Sequence, residues 1–218
     1  MKRALATAWM ALALGVAGWA QDRAPLTFNG GYTLGFSAAQ VRGDGIEGFN
    51  KLGLYGGAVV DIRRFQNVGF QLGILYHEKG SKKVANPRTG DYSTWAYKFS
   101  YIDIPLVAVV ELSEGYTVGT GLQPGVLLSA LEDGLDGGSV TGDWMDTNLP
   151  IRPWELSWVV WVGMPTAGGG ELFLRHSQSL PGIVPKPSNP GPNARWDDRM
   201  QNITLQVGYT RLLLDPER

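Results

Sequence analysis

The 218-residue chain contains no cysteine. A disulfide framework and a thiolate metal site are both ruled out, although export would have permitted disulfides. Beyond residue 20 no run of about eighteen consecutive apolar residues offers a spanning helix. Neither sign of charge dominates: the formal net charge is −1, and without a concentrated basic patch nothing favours a nucleic-acid partner. What is abundant is glycine, at 30 residues, together with 8 Trp and 8 Tyr. A Gly-rich, aromatic-rich chain without spanning helices fits an outer-membrane barrel. A soluble secreted β-sandwich has a similar composition, so composition alone does not choose between them.

The first twenty residues differ from the rest. Lys2 and Arg3 precede an apolar run from Ala4 to Ala20 that ends in Gly18-Trp19-Ala20 before the polar Gln21-Asp22. The charged start, short apolar run and small-x-small ending predict a secretory signal peptide over residues 1–20. A transmembrane anchor would need about twenty apolar residues. The mature chain is expected to start near Gln21, and with no Cys after the run a lipoprotein is not expected. No linker divides residues 21–218, which are read as one barrel domain.

The segment Lys98 to Glu111, KFSYIDIPLVAVVE, places apolar side chains at every second position from Ile102 to Val110, with Tyr101, Asp103 and Glu111 in the other phase. A period of two puts alternate residues on opposite faces of a sheet. The pattern recurs in eight segments: Leu26 to Val41, Lys51 to Arg63, Val68 to Glu78, Trp95 to Glu111, Tyr116 to Ala130, Trp154 to Met164, Glu171 to Ser179 and Met200 to Leu212. Their connections alternate between long and short, which sorts tight turns to one end and long loops to the other. Outer-membrane barrels are built this way, with tight periplasmic turns and long extracellular loops. The expected fold is therefore all-β: an eight-stranded antiparallel up-and-down transmembrane β-barrel in the bacterial outer membrane, with both termini periplasmic. A soluble lipocalin-like barrel is the alternative fold.

Phasing the strands gives an almost charge-free outer face that includes Phe28, Leu34, Phe36, Leu54, Phe70, Ile74, Ile104, Leu106, Leu122, Val162, Leu174 and Val207. Tyr76 and Trp154 are expected at the outer ends of their strands, and Tyr116 and Tyr209 at the periplasmic ends, as two interfacial girdles. Charge falls in the other phase, because Arg or Lys facing lipid at the midplane costs about 2–4 kcal/mol. Eight strands leave just enough interior for side chains to fill. Asp61, Asp103, Glu155 and Glu171 cannot all be ionised and unpaired there, so a lumen network with Arg175, and with Lys51 as a further cation, is expected. Pro105 lacks the amide a continuous ladder needs, and a bulge is expected at that point.

GGYTLGFS (Gly30 to Ser37), GFQLGILYHEKGSK (Gly69 to Lys82), YIDIPL (Tyr101 to Leu106), GYTVGTGLQPGVLLSA (Gly115 to Ala130) and NITLQVGYTRL (Asn202 to Leu212) occur in an order that resembles the PorT-like outer-membrane β-barrel family. The resemblance implies an eight-stranded outer-membrane barrel, mostly without an assigned activity, with some relatives linked to secretion and gliding machinery. It also suggests that proline is tolerated at position 105. The chain departs from the pattern in ending RLLLDPER after Tyr209 rather than on an aromatic residue, which displaces the barrel-assembly signal.

Several motifs invite chemistry. His176 and Ser177 are adjacent, but strand neighbours point to opposite faces, and a nucleophile needs its base within hydrogen-bond reach; an interfacial His is the reading. Glu132, Asp133, Asp136, Asp143 and Asp146 crowd one long loop without EF-hand spacing and read as a solvated acidic loop, with divalent-cation binding as the alternative. Arg42-Gly43-Asp44 reads as a turn. Lys79, Lys82, Lys83 and Arg88 form a basic outer loop and are the candidate contacts for lipopolysaccharide phosphates. Pro181, Pro185, Pro187, Pro190 and Pro192 stiffen the last loop. No catalytic constellation, cofactor site or metal site converges. The expectation is a structural or interaction protein whose outer loops meet a cell-envelope or secretion partner or a surface glycan. A small conduit and an outer-membrane lipid-modifying enzyme are the alternatives.

Overall fold

The computed structural model describes residues 25–65, 67–135, 145–146, 149–184 and 200–213; residues 1–20, where a signal peptide is expected, lie outside them. Ten strands form one sheet: β1 Thr27–Arg42, β2 Lys51–Arg63, β3 Val68–Lys83, β4 Thr94–Asp103, β5 Leu106–Glu111, β6 Thr117–Leu135, β7 Met145–Asp146, β8 Trp154–Pro165, β9 Gly170–Ser179 and β10 Gln201–Leu212. Every pairing is antiparallel. β1 pairs β2, β2 pairs β3, and β3 pairs both β4 and β5, which in turn pair β6. β6 then pairs β8, β8 pairs β9, β9 pairs β10, and β10 returns to β1. β4 and β5 are two halves of one stave, and β7 is a two-residue addition to β6. Eight staves thus close an up-and-down barrel with no exposed edge.

The stave β4–β5 corrects the expectation of a bulge at Pro105. Leu75 pairs Asp103 and Leu72 pairs Leu106 on one side; Gly125 pairs Asp103 and Leu122 pairs Leu106 on the other. Register is therefore kept through Ile104 and Pro105. What is lost is hydrogen bonding. Ile104 N–H donates to Pro124 O at 2.7 Å and Gly73 N–H to Pro105 O at 3.2 Å, but neither proline has an amide to return the bond. The register shift lies instead between Ser100 and Tyr101, where β6 carries an extra residue, Leu128, between the partners Leu127 and Ser129.

β3, β4 and β6 run further toward the long loops than the period-two pattern suggested. β3 continues past Glu78 to Lys83 and β6 past Ala130 to Leu135. Lys79-Gly80-Ser81 looks like a turn in sequence, yet Gly80 occupies a ladder position at φ 129°, a backbone value that favours glycine. A side chain there would meet Tyr97 O at 2.0 Å.

The phasing holds around the ring. Phe36 is 68% exposed and Leu52 71%, whereas Leu75, Val107 and Val159 are fully buried. In a barrel of this width the buried phase is the lumen, so the large exposed side chains form a continuous apolar outer wall. Trp154 opens β8 and Tyr116 just precedes β6, both exposed. Tyr76 is at the middle of β3, not its end, because that strand is longer than expected. It still shares a row of register partners with Ile102, Val126 and Trp154. Directly beyond it the outer wall turns polar, with Glu78 paired to Lys98 at 3.1 Å.

Candidate functional site

The lumen is stratified along its axis. At the long-loop end Val41, Tyr97, Phe99, Tyr101, Ile183 and Met200 form a buried apolar cluster, with Ile46, Trp95 and Ile151 packed against it. Ile183 and Met200 flank the last long loop, and Ile183 N–H donates to Met200 O at 2.7 Å while Arg152 N–H donates to Ile183 O at 2.8 Å. The loop bases are thereby fastened over the lumen.

Beneath that cap is a polar layer. Lys79 is 1% exposed, and its Nζ lies 3.1 Å from Asp103 Oδ2 and 3.2 Å from Glu155 Oε1; it also stands over the Tyr101 ring at 4.6 Å. Asp103 accepts from Gln123 Nε2 at 2.6 Å and pairs with His77 Nδ1 at 2.9 Å. Glu155 accepts from Ser157 at 2.6 Å, Ser179 at 2.9 Å and Asn202 at 2.8 Å. Arg175 donates to Tyr55 Oη at 2.6 Å and to Gln123 Oε1 at 2.7 Å. Two carboxylates thus share one ammonium in direct contact, with the Arg175 guanidinium linked to Asp103 through Gln123, and both are surrounded by donors, the arrangement that buried charge requires.

This placement corrects two expectations. Lys79 is not a loop residue facing lipopolysaccharide but the lumen's counter-ion. Residues 77, 79 and 81 continue the inward phase, a signal hidden by the turn-like Lys-Gly-Ser. Lys51 forms no ion pair with a lumen carboxylate among the described residues: it is buried at the start of β2 and donates to Leu52 O at 2.7 Å. Arg175 lies in the network but reaches Asp103 only through Gln123.

His77 makes a contact that sequence reading missed. Its Nδ1 faces Asp103 and its Nε2 faces Ser37 Oγ at 3.1 Å, the Ser–His–Asp order of a hydrolase triad. An ionised Asp103 requires the proton on Nδ1, which leaves Nε2 to accept from Ser37 and from Gln206 Nε2 at 3.4 Å. All three triad-like residues are wholly buried. His176 and Ser177 point to opposite faces as expected: His176 meets Trp158 edge-on at 5.3 Å, and Ser177 hydrogen-bonds Thr204 in the lumen at 2.6 Å.

An apolar layer follows, built from Val59, Leu75, Phe173, Val107, Val109 and Trp161. Gly119 gives Trp161 room, since a Cβ there would sit 3.0 Å from the indole. At the short-turn end a cavity of about 620 Å³ opens, lined among others by Asp61, Arg63, Gln71, Glu111, Trp161 and Glu171. Arg63 Nε lies 2.5 Å from Asp61, and Arg63 also pairs with Glu111. Glu171 accepts from Thr117 Oγ1 at 2.5 Å. The five expected network residues therefore divide: Asp103, Glu155 and Arg175 share the central layer, while Asp61 and Glu171 belong to this mouth.

Of the remaining basic residues, Lys82 and Arg88 are exposed, and Lys83 pairs with Asp91 at 2.8 Å. Asp91 also accepts from Ser93, and these contacts, the Lys83 one foremost, pull its carboxyl down to about 2. Asp44 has its carboxyl pushed up by burial against bonds from Ser81 and Ile46 N–H. Of the acidic loop, Glu132 and Asp133 are described; Asp136, Asp143 and the side chain of Asp146 lie outside the described residues, as do Pro185, Pro187, Pro190 and Pro192. Among the described residues no group of three or more carboxylates and histidines is placed to hold a metal ion.

A closed ring of eight antiparallel staves, apolar outside and polar within, defines a membrane-spanning β-barrel. The chain belongs to the outer membrane protein beta-barrel domain family, whose profile matches residues 19–180, and is accordingly a protein of the bacterial outer membrane. No curated protein matches it. Among solved structures, Ail, the attachment invasion locus protein of Yersinia pestis, crystallised with the heparin analogue sucrose octasulfate, is 11% identical with a TM-score of 0.48, over 84% of this chain and 97% of Ail. Neisserial surface protein A is 10% identical with a TM-score of 0.47, over 87% of this chain and 99% of its own.

Proposed function

We propose that the protein is a non-conducting, non-enzymatic barrel that presents its long loops to a partner at the cell surface. The observation that carries this reading is the sealed lumen: a buried ion network lies between two apolar layers, and the loop bases are fixed by Ile183 and Met200 into a platform instead of a pore entrance. On this reading residues 1–20 are a removed signal peptide and both termini are periplasmic. The elements from Gly30 to Leu212 that resemble PorT-like barrels support placement in that branch and make a secretion or cell-envelope protein a candidate partner.

Lipopolysaccharide is the surface component the barrel wall suits best. Lys82 is exposed and Lys98 is outward-facing just beyond Tyr76, the level at which phosphates meet an apolar band, and Arg88 is exposed on the adjoining loop. Refolded protein titrated with lipopolysaccharide in neutral detergent should lose affinity several-fold in a combined Lys82→Gln, Lys98→Gln, Arg88→Gln variant. Unchanged binding would leave a protein partner as the remaining occupant.

The enzyme reading has one observation in its favour, the Ser37–His77–Asp103 geometry, and it fails on access because all three groups are buried. A fluorophosphonate probe should leave the folded barrel unlabelled; labelling at Ser37 that His77→Ala abolishes would make the protein a hydrolase.

A further inference from the structure

We infer that the cavity at the short-turn mouth is a binding site for a small organic cation carrying a primary ammonium and a separate hydrogen-bond acceptor, as in a lysine-containing peptide. The cavity is about 620 Å³, within the usual range of small-ligand sites, and Trp161 and its apolar neighbours separate it from the ion network above. Charge inside it is unbalanced. Arg63 pairs with both Asp61 and Glu111, whereas Glu171, also lining the cavity, has the Thr117 hydroxyl as its hydrogen-bond partner, and no Lys or Arg pairs with it among the described residues. Three carboxylates thus face two guanidiniums, that of Arg63 and that of the exposed Arg64, which leaves one carboxylate in excess.

Two further groups lack partners among the described residues. Trp161 is 6% exposed, lines the cavity, and its Nε1–H has no acceptor; Asn29 lines the same space and its buried Oδ1 has no donor. A buried polar group without a partner is uncommon and costly. An ammonium would supply a cation to Glu171, while Asn29 Oδ1 and the Trp161 N–H offer an acceptor and a donor to other polar groups of the ligand. The acidic excess disfavours an anion, and the polar lining disfavours a purely apolar ligand. Because this mouth is periplasmic in the proposed topology, the ligand would arrive from the periplasm. The site is independent of whatever the long loops bind.

The test uses Nα-acetyl-lysinamide as probe and Nα-acetyl-norleucinamide, which lacks only the ammonium, as control, titrated calorimetrically into the folded barrel in zwitterionic detergent. Saturable binding of the lysine probe is expected, at least tenfold tighter than the control. Glu171→Gln should weaken it at least tenfold, and Trp161→Phe, which keeps the ring and removes only the N–H, about threefold. Both variants are first checked for the heat-modifiable gel shift of a folded barrel. No saturable binding to the wild type, or equal affinity for the two probes, would overturn the inference. So would unchanged binding in both variants, or in Trp161→Phe if Glu171→Gln does not fold.

Discussion

Asp103 is contacted by His77, Lys79 and Gln123, and Glu155 by Lys79, Ser157, Ser179 and Asn202, so among the described residues Lys79 is the cation in direct contact with both carboxylates, while Arg175 reaches Asp103 through Gln123. Replacing Lys79 by Met, of similar length, leaves two buried carboxylates without the cation they contact directly. The expected cost is about 3–5 kcal/mol, the usual effect of breaking a buried pair from one side. It is measured as a lowered urea midpoint of the heat-modifiable band. Asp103→Asn should cost less, because the amide oxygen still accepts a hydrogen bond and Lys79 keeps Glu155. At the loop surface the titration of Asp91 is a second residue-scale prediction. Its folded carboxyl is depressed to about 2, so its contribution to loop anchoring is fully present above the unfolded value near 3.8 and is lost as pH falls through about 2. Carboxyl-carbon NMR should show that low midpoint, and Lys83→Gln should raise it toward the ordinary value.

On the scale of elements, the period-two pattern was sufficient to phase every stave, because lipid penalises charge on one face and the narrow lumen accepts it on the other. Glu155 and Arg175 fall inside for that reason, and Leu54 and Val207 outside. Strand ends were less legible. The outward run beyond Tyr76 mixes Glu78, Gly80 and Lys82, which looks like a loop when seen one residue at a time. Only pairing with Lys98 and Tyr97 reveals a ladder. The assignment of Lys79 to a loop followed from that, and with it the choice of Arg175 as the main counter-ion. Pro105 was legible as an interruption but not in kind, because register depends on both neighbouring staves. Two substitutions separate these effects. Pro105→Ala can regain one ladder bond while loosening the unfolded chain, so its stability should change by no more than about 1 kcal/mol. Gly125→Ala puts a Cβ 2.2 Å from Asp103 Oδ1 and should lower stability by about 1–3 kcal/mol, the range of overpacking. Urea midpoints for the two variants side by side check the contrast.

For the molecule as a whole, the sequence made the barrel and its apolar exterior legible, but not the layering of its interior. The central ion network and the short-turn cavity draw on residues scattered over all eight staves, and which of them share a level depends on the stagger between strands. On the proposed reading, a lumen filled by Lys79, Asp103, Glu155 and Arg175, with Leu75, Phe173 and Trp161 below and Tyr97, Phe99 and Met200 above, offers no continuous aqueous path. Single-channel recording in planar bilayers, using protein verified as folded by its heat-modifiable shift, tests that most directly. The wild type should insert without discrete conductance steps at any applied voltage. Reproducible unitary steps carried by the folded species would contradict the sealed lumen and make the protein a conduit.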